Sequence, residues 1–285
     1  MFWDTLESSE AEFAQQLVGE LKDVAWVRPI IDRIDKNGGL TRKNMDNLLQ
    51  LKDHLFELRF AYALHQAGVT PEHEIKGEAK SMIDFGFVSK GQQWAVEMMR
   101  LGETEVVKAA TVTQDVEPGV QLIGRFLSTN AEDPTQSLDG ETFKAIRRIC
   151  QKCERNGRPH KFRTPEDALQ VLLVDFRTFE NGGDGNDMLH VALGADYVKR
   201  QFRCYWEGRP ITGVFDEHTS LKGAAEMRQR VHFLGFVRER AYKPGEFTAA
   251  TYFVWNPHLF RDSAAAGAAA ATWPLQPVQS PPNAD

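Results

Sequence analysis

Three carboxylates carry the chemistry this sequence could do. Glu57 lies in LFELRFAYAL, Asp84 in SMIDFGFV and Glu97 in QWAVEMM. The last two stretches are rich in β-favouring residues and flank Lys90-Gly91, which predicts a β-hairpin with a two-residue loop. In that register Ser89 faces Gln92 and Asp84 faces Glu97 directly. Opposed residues of an antiparallel pair hold their Cβ atoms about 4.5–5.5 Å apart, and like charges there are destabilising. Two carboxylates so placed call for a proton, a cation or a rotamer that turns one away. A divalent metal is the functional answer, because hard cations take carboxylate oxygens. With one more loop residue, Asp84 would instead face a neighbour of Glu97. Glu57 joins them by a separate argument. In mid-helix, with Ala61 at i+4 and Leu64 at i+7, it shares an apolar stripe, where a carboxylate is costly unless paired or metal-bound. On the edge of that stripe it would reach water.

The elements that must position these groups follow from periodicity. Ser9 with Glu12 forms a capping-box pattern, after which Phe13, Leu17 and Leu21 recur every four residues. Residues 26–34 predict a short second helix, with Pro29 early enough to be tolerated and Asn37-Gly38-Gly39 as a breaker. Thr41 is placed to cap a long third helix carrying Leu51, Leu55, Leu58, Ala61 and Leu64, closed by Gly68. Beyond the hairpin, the pattern predicts a helix over 140–155 and a buried strand over 169–176. A Gly/Asp loop and a helix over 188–203 follow. Two extended runs, 231–237 and 248–255, separated by Lys243-Pro244-Gly245, are expected to pair. This order implies an α/β fold with a mixed central β-sheet flanked by helices. It divides as an N-terminal helical extension (1–40), an α/β domain (41–262) and an Ala/Pro-rich tail (263–285) whose composition predicts disorder.

Composition narrows the functional classes. No apolar run approaches the roughly 18 residues that span a bilayer, and no secretory signal is visible, so no membrane partner is expected. Three cysteines do not make a disulfide framework, and a reducing, cytoplasmic setting is the simplest expectation. A net charge of -6 argues against coating nucleic acid with the whole surface, though not against a local basic cleft. Neither GxSxG nor HExxH occurs. Cys150 and Cys153 form a lone CxxC and read as ordinary helix residues. His73, between Glu72 and Glu74, reads as a solvated loop residue. Asp175 ends an apolar strand. The loop after it, with Asp184 and Asp187, lacks the pattern of a calcium-binding loop or a P-loop.

A helix carrying Glu57, then a hairpin with Asp84 on one strand and Glu97 on the next, resembles the core of the PD-(D/E)XK, or restriction-endonuclease-like, superfamily. The resemblance is clear over residues 45–180. It implies a restriction-endonuclease-like core and metal-assisted phosphodiester hydrolysis, with DNA as the expected substrate. It further implies that Asp84 and Glu97 are the catalytic carboxylates and hold one or two Mg²⁺ (or Mn²⁺) ions, with Glu57 a further or water-bridged ligand. Arg147, Arg148 and Lys152 on the next helix would then contact phosphates; they equally fit a solvated face. The sequence departs from the family at Met99, where the motif has a lysine; methionine neither carries charge nor donates a hydrogen bond. Lys80, Arg100 and Lys108 are the nearest cations, and strand alternation turns Arg100 to the opposite face. The alternative is a non-catalytic nucleic-acid- or protein-binding module on the same scaffold. In a third reading, a protein partner or second copy docks on the N-terminal helices.

Overall fold

The Lys90-Gly91 turn and the alternation on either side of it set the frame. In the computed structural model of the protein, β2 (Met82–Ser89) and β3 (Gln92–Arg100) pair antiparallel, with Ser89 opposite Gln92 and Phe85 opposite Val96. Lys90 and Gly91 take φ of 48° and 79°, the positive values that a tight two-residue hairpin loop demands. The structure describes residues 8–36, 39–40, 48–102, 111–117, 120–125, 137–179 and 183–281. Thr41, Lys108, Asn37 and Gly38 lie outside them.

This hairpin belongs to a six-stranded mixed sheet whose spatial order is its chain order. β1 (Glu72–Lys76) pairs antiparallel with β2, and β4 (Leu169–Asp175) lies parallel to β3. β5 (Phe233–Val237) lies parallel to β4, and β6 (Thr251–Trp255) closes the sheet antiparallel to β5, as the two late extended runs predict. Every residue of β4 and β5 is buried, which is why both read as continuous apolar runs.

Helices cover both faces. α1 (Ser8–Leu21), α2 (Arg28–Lys36) and α3 (Leu48–Gln66) bury their apolar stripes in one core with Val96, Met98 and Val171. α4 (Leu138–Gln151), α5 (Gly185–Leu193) and α6 (Ala224–Arg230) share the opposite core with Ala95, Met99 and Leu172. The crossovers required by the parallel pairs therefore run on this second face. No helix among the described residues is long and apolar enough to cross a membrane.

Several expectations are corrected. Ser9 lies inside α1 rather than capping it. The helix expected over 188–203 ends at Leu193, because Gly194 turns at φ 93° against Gly213, where a Cβ would meet a backbone nitrogen at 2.7 Å. Two short 3₁₀ turns, Ala195–Tyr197 and Arg200–Phe202, follow it. The same helix begins earlier than expected, because Asp184 and Asp187 form a reciprocal capping box. α4 stops at Gln151, and Asn156-Gly157, both at positive φ, turn a small ribbon instead.

The tail is the largest correction. Residues 263–281, expected to be disordered, fold onto the sheet. α8 (Ser263–Ala270) starts at Asp262, whose side chain accepts from the Ala265 amide. Alanine is the best helix former, and Trp273 and Leu275 bury fully behind it. Between β5 and β6, the short α7 (Glu246–Ala249) follows the Lys243-Pro244-Gly245 turn.

Candidate functional site

Asp84, Glu97 and Glu57 line one cleft of about 360 Å³, between the hairpin, α3 and the C-terminal end of α4. Glu97 is fully buried, and its Oε1 receives two ammonium groups, Lys152 Nζ at 2.9 Å and Lys161 Nζ at 2.9 Å. Its Oε2 is buried without a hydrogen-bond partner. The described backbone ladder reaches Phe85 opposite Val96, one step short of Asp84 and Glu97. There the Asp84 carboxylate takes over, accepting the Met98 amide at Oδ2 at 2.7 Å. Lys152 also donates to the Met98 carbonyl at 3.3 Å, and Lys161 to the Met82 carbonyl at 2.7 Å. Both lysines are thus fixed to the two strands that carry the carboxylates.

Electrostatics set Asp84 and Glu57 apart. Burial, then the neighbouring charges of Glu97 and Glu57, push the Asp84 carboxyl well above the usual aspartate range, against a weaker pull from Lys161 and Lys152. Burial would raise Glu57 too, but the His54 and His73 imidazoles, at 3.6 and 3.7 Å, hold it down at about 2. Arg33 stands 3.9 Å from the same carboxylate. Burial works against the Lys152 ammonium, yet Glu97 beside it holds its pKa above the ordinary lysine value. His73 corrects the solvated-loop reading, since it sits on β1 with its side chain covered and its ring against Phe85.

The cations expected near the site divide differently. Lys152 and Arg148 line the cleft, while Arg147 is exposed on the same helix. Arg100 also lines the cleft, from the α3 side, where it reaches Asp53 at 3.3 Å. Lys80 is exposed and does not line the cleft. Lys161 was invisible to sequence reading. The Ser81 hydroxyl accepts its backbone amide at 2.9 Å, a contact across 80 residues that no local pattern announces.

The donor set suits a hard cation in a restricted way. Among the described residues no group of three or more His, Cys, Asp or Glu side chains is placed to hold a metal ion, so Glu57 does not complete a cage. The orphaned Glu97 Oε2 and the raised Asp84 carboxyl nevertheless both ask for positive charge. Mg²⁺ is commonly held by one or two carboxylates, with waters and substrate phosphates filling its shell, and the Asp84–Glu97 pair fits that pattern.

Beyond the cleft, Asp175 belongs to a buried charge network. Its carboxylate accepts from Arg177 Nε at 2.8 Å and Nη2 at 2.5 Å, and Arg177 also donates to Tyr242. Arg59 donates to Glu239 at 2.8 Å and to Glu10 at 3.1 Å, and Lys52 stands 3.0 Å from Glu10. Burial would raise Asp175, but Arg177 holds it down at about 2. Cys150 lies in α4, as read, whereas Cys153 falls in the turn after it; both are buried free thiols, and burial pushes Cys150 up to about 12. Comparison with protein-family models, curated proteins and solved structures returned no match for this chain.

Proposed function

We propose that this chain is a divalent-metal-dependent nuclease with a restriction-endonuclease-like core, acting on phosphodiester bonds, most naturally of DNA. The observation that carries the reading is the presence of Asp84 and Glu97 in one cleft, with two ammonium groups at Glu97. Asp84 and Glu97 would hold Mg²⁺ or Mn²⁺, and Glu57 would act from the rim through water. A bound ion there would lower the pKa of a coordinated water and neutralise charge growing on the phosphate. Met99 removes the strand lysine, and Lys152 supplies an ammonium at Glu97 from the helix side. When phosphate enters, Lys152 and Lys161 are positioned to turn from Glu97 to its oxygens. Arg148, at the same cleft, would hold the flanking backbone.

A second reading has an observation of its own. Glu97 Oε1 is already neutralised by Lys152 and Lys161, so the lysines could stand where a cation would. The fold would then serve as a non-catalytic binding module.

Calorimetric titration with Mn²⁺ and Mg²⁺, with and without an oligonucleotide, separates the two. The nuclease reading expects binding by the wild type that disappears in Asp84→Asn and in Glu97→Gln. It also expects Mg²⁺-dependent cleavage that falls about a hundredfold or more in Lys152→Met. Metal binding absent even with oligonucleotide present would overturn it in favour of the binding module.

A further inference from the structure

Exposed aromatic side chains among the described residues are not scattered over the surface. Among the described residues the large exposed aromatics are Tyr197, Phe202 and Tyr205, at 56%, 43% and 41% exposure, all within one short segment. That segment is held down by buried Ala195, Val198 and Cys204 and braced by an ion pair between Asp196 and Arg203. Folding therefore fixes the backbone while leaving the three rings outside. Interleaved with them are the exposed cations Lys199 and Arg200, and Arg209 follows on the adjoining ribbon of residues 205–210. Core packing does not require this arrangement, and an exposed face that served solubility alone would carry few aromatics.

The segment is anchored to the helix that reaches the cleft. Trp206 stacks face to face on Phe143 of α4, with ring centroids 4.9 Å apart and planes 2° from parallel. From Phe143, the outward ridge of α4 carries Lys144, Arg147, Arg148 and Gln151, at helical-neighbour spacing, and ends at Lys152 beside Glu97. At 1.5 Å per residue, the ridge from Phe143 to Lys152 is about 14 Å long, a distance a few nucleotides cross.

We infer that residues 195–210 and the basic ridge of α4 form a binding track for single-stranded nucleic acid that leads into the cleft. Aromatic faces stack on unpaired bases whatever their sequence, while cations between them meet the phosphates. In a duplex those base faces are covered by their neighbours, so the rings select for single strands. The net charge of -6 over the whole chain would repel a polyanion, which makes a local basic strip the place for one to dock. The destination of the track rests on the nuclease reading of the cleft; the binding itself does not.

The test is fluorescence anisotropy at low salt without added divalent metal, using labelled oligothymidylate, oligouridylate and a duplex of equal length. The proteins are the wild type, single Tyr197→Ala, Phe202→Ala and Tyr205→Ala variants, and Tyr197→Phe. Oligothymidylate and oligouridylate should bind more tightly than the duplex, and a preference between the two distinguishes DNA from RNA. Each alanine variant should weaken single-strand binding by about five- to a hundredfold, with Tyr197→Phe near wild type. Because these side chains are exposed, the variants should melt with the wild type, which removes misfolding as an explanation. A stronger preference for duplex, or alanine variants that bind like the wild type, would overturn the track. Tight single-strand binding without Mg²⁺-dependent cleavage would sink the nuclease reading and leave the track standing.

Discussion

Asp84 shows what a buried carboxyl beside other carboxyls costs in stability. Its carboxyl is raised in the folded protein, so its contribution to stability is full below the unfolded pKa near 3.8 and is lost as pH rises through the folded pKa. Asp84→Asn removes the buried charge and keeps an oxygen to accept the Met98 amide. Without metal this variant should be the more stable by about 1 kcal/mol or more at pH 8, with the advantage gone at pH 4, as thermal denaturation at the two pH values would show. Adding Mg²⁺ should raise the melting temperature of the wild type and leave that of Asp84→Asn unmoved. Much at this scale was legible. The turn pair gave the register from Ser89–Gln92 to Phe85–Val96, and Asp84 and Glu97, one step beyond it, line one cleft. Lys161, His73 and Glu10 escaped because each owes its environment to a residue more than ten positions away.

At the scale of elements, the buried charges tie helices to strand ends. Glu10 of α1 meets Lys52 and Arg59 of α3, and Arg59 reaches on to Glu239 just beyond β5. Removing one partner of such a group leaves uncompensated charge in the core. Glu10→Ala should cost about 3–5 kcal/mol in urea denaturation, far more than the loss of an exposed helix glutamate. Asp175 gives the matching pH dependence. Held at about 2 by Arg177, against 3.8 in the ordinary state, it contributes stability that is present above pH 3.8 and lost as pH falls through 2. A Tm profile from pH 5 to pH 2 should therefore fall less steeply for Asp175→Asn than for the wild type, from a lower starting point. Strands β2 to β5 were readable because their period and apolar runs are strong. The end of α5 was not, since the apolar pattern continues past Gly194 while the close approach to Gly213 is a tertiary event.

For the whole molecule, the order of elements was enough to read a mixed α/β sheet with helical cover. The division into parts was not. Phe13, Leu17 and Ile30 of the N-terminal helices share a core with Phe60 and Val96, so the stretch read as an extension packs as part of the same body. The tail misled because its alanines and prolines point to disorder by composition, while Ala266, Trp273 and Leu275 bury in the core. Trp273 packs against Phe60, Phe87, Trp94 and Phe253, and so bridges α3, the hairpin and β6. Trp273→Ala should cost about 3–5 kcal/mol, measured by chemical denaturation, and should do so without touching the cleft.

That tryptophan also bears on synthesis. A ribosome makes the chain from its N-terminus, so Phe60, Phe87, Trp94 and Phe253 all emerge before the indole that covers them. Until residue 273 is free of the exit tunnel, the nascent chain carries an uncovered aromatic surface of the kind that recruits chaperones or neighbouring chains. Premature termination within the last turns of α8 would release a product that has every residue of the cleft and lacks the cover of its core.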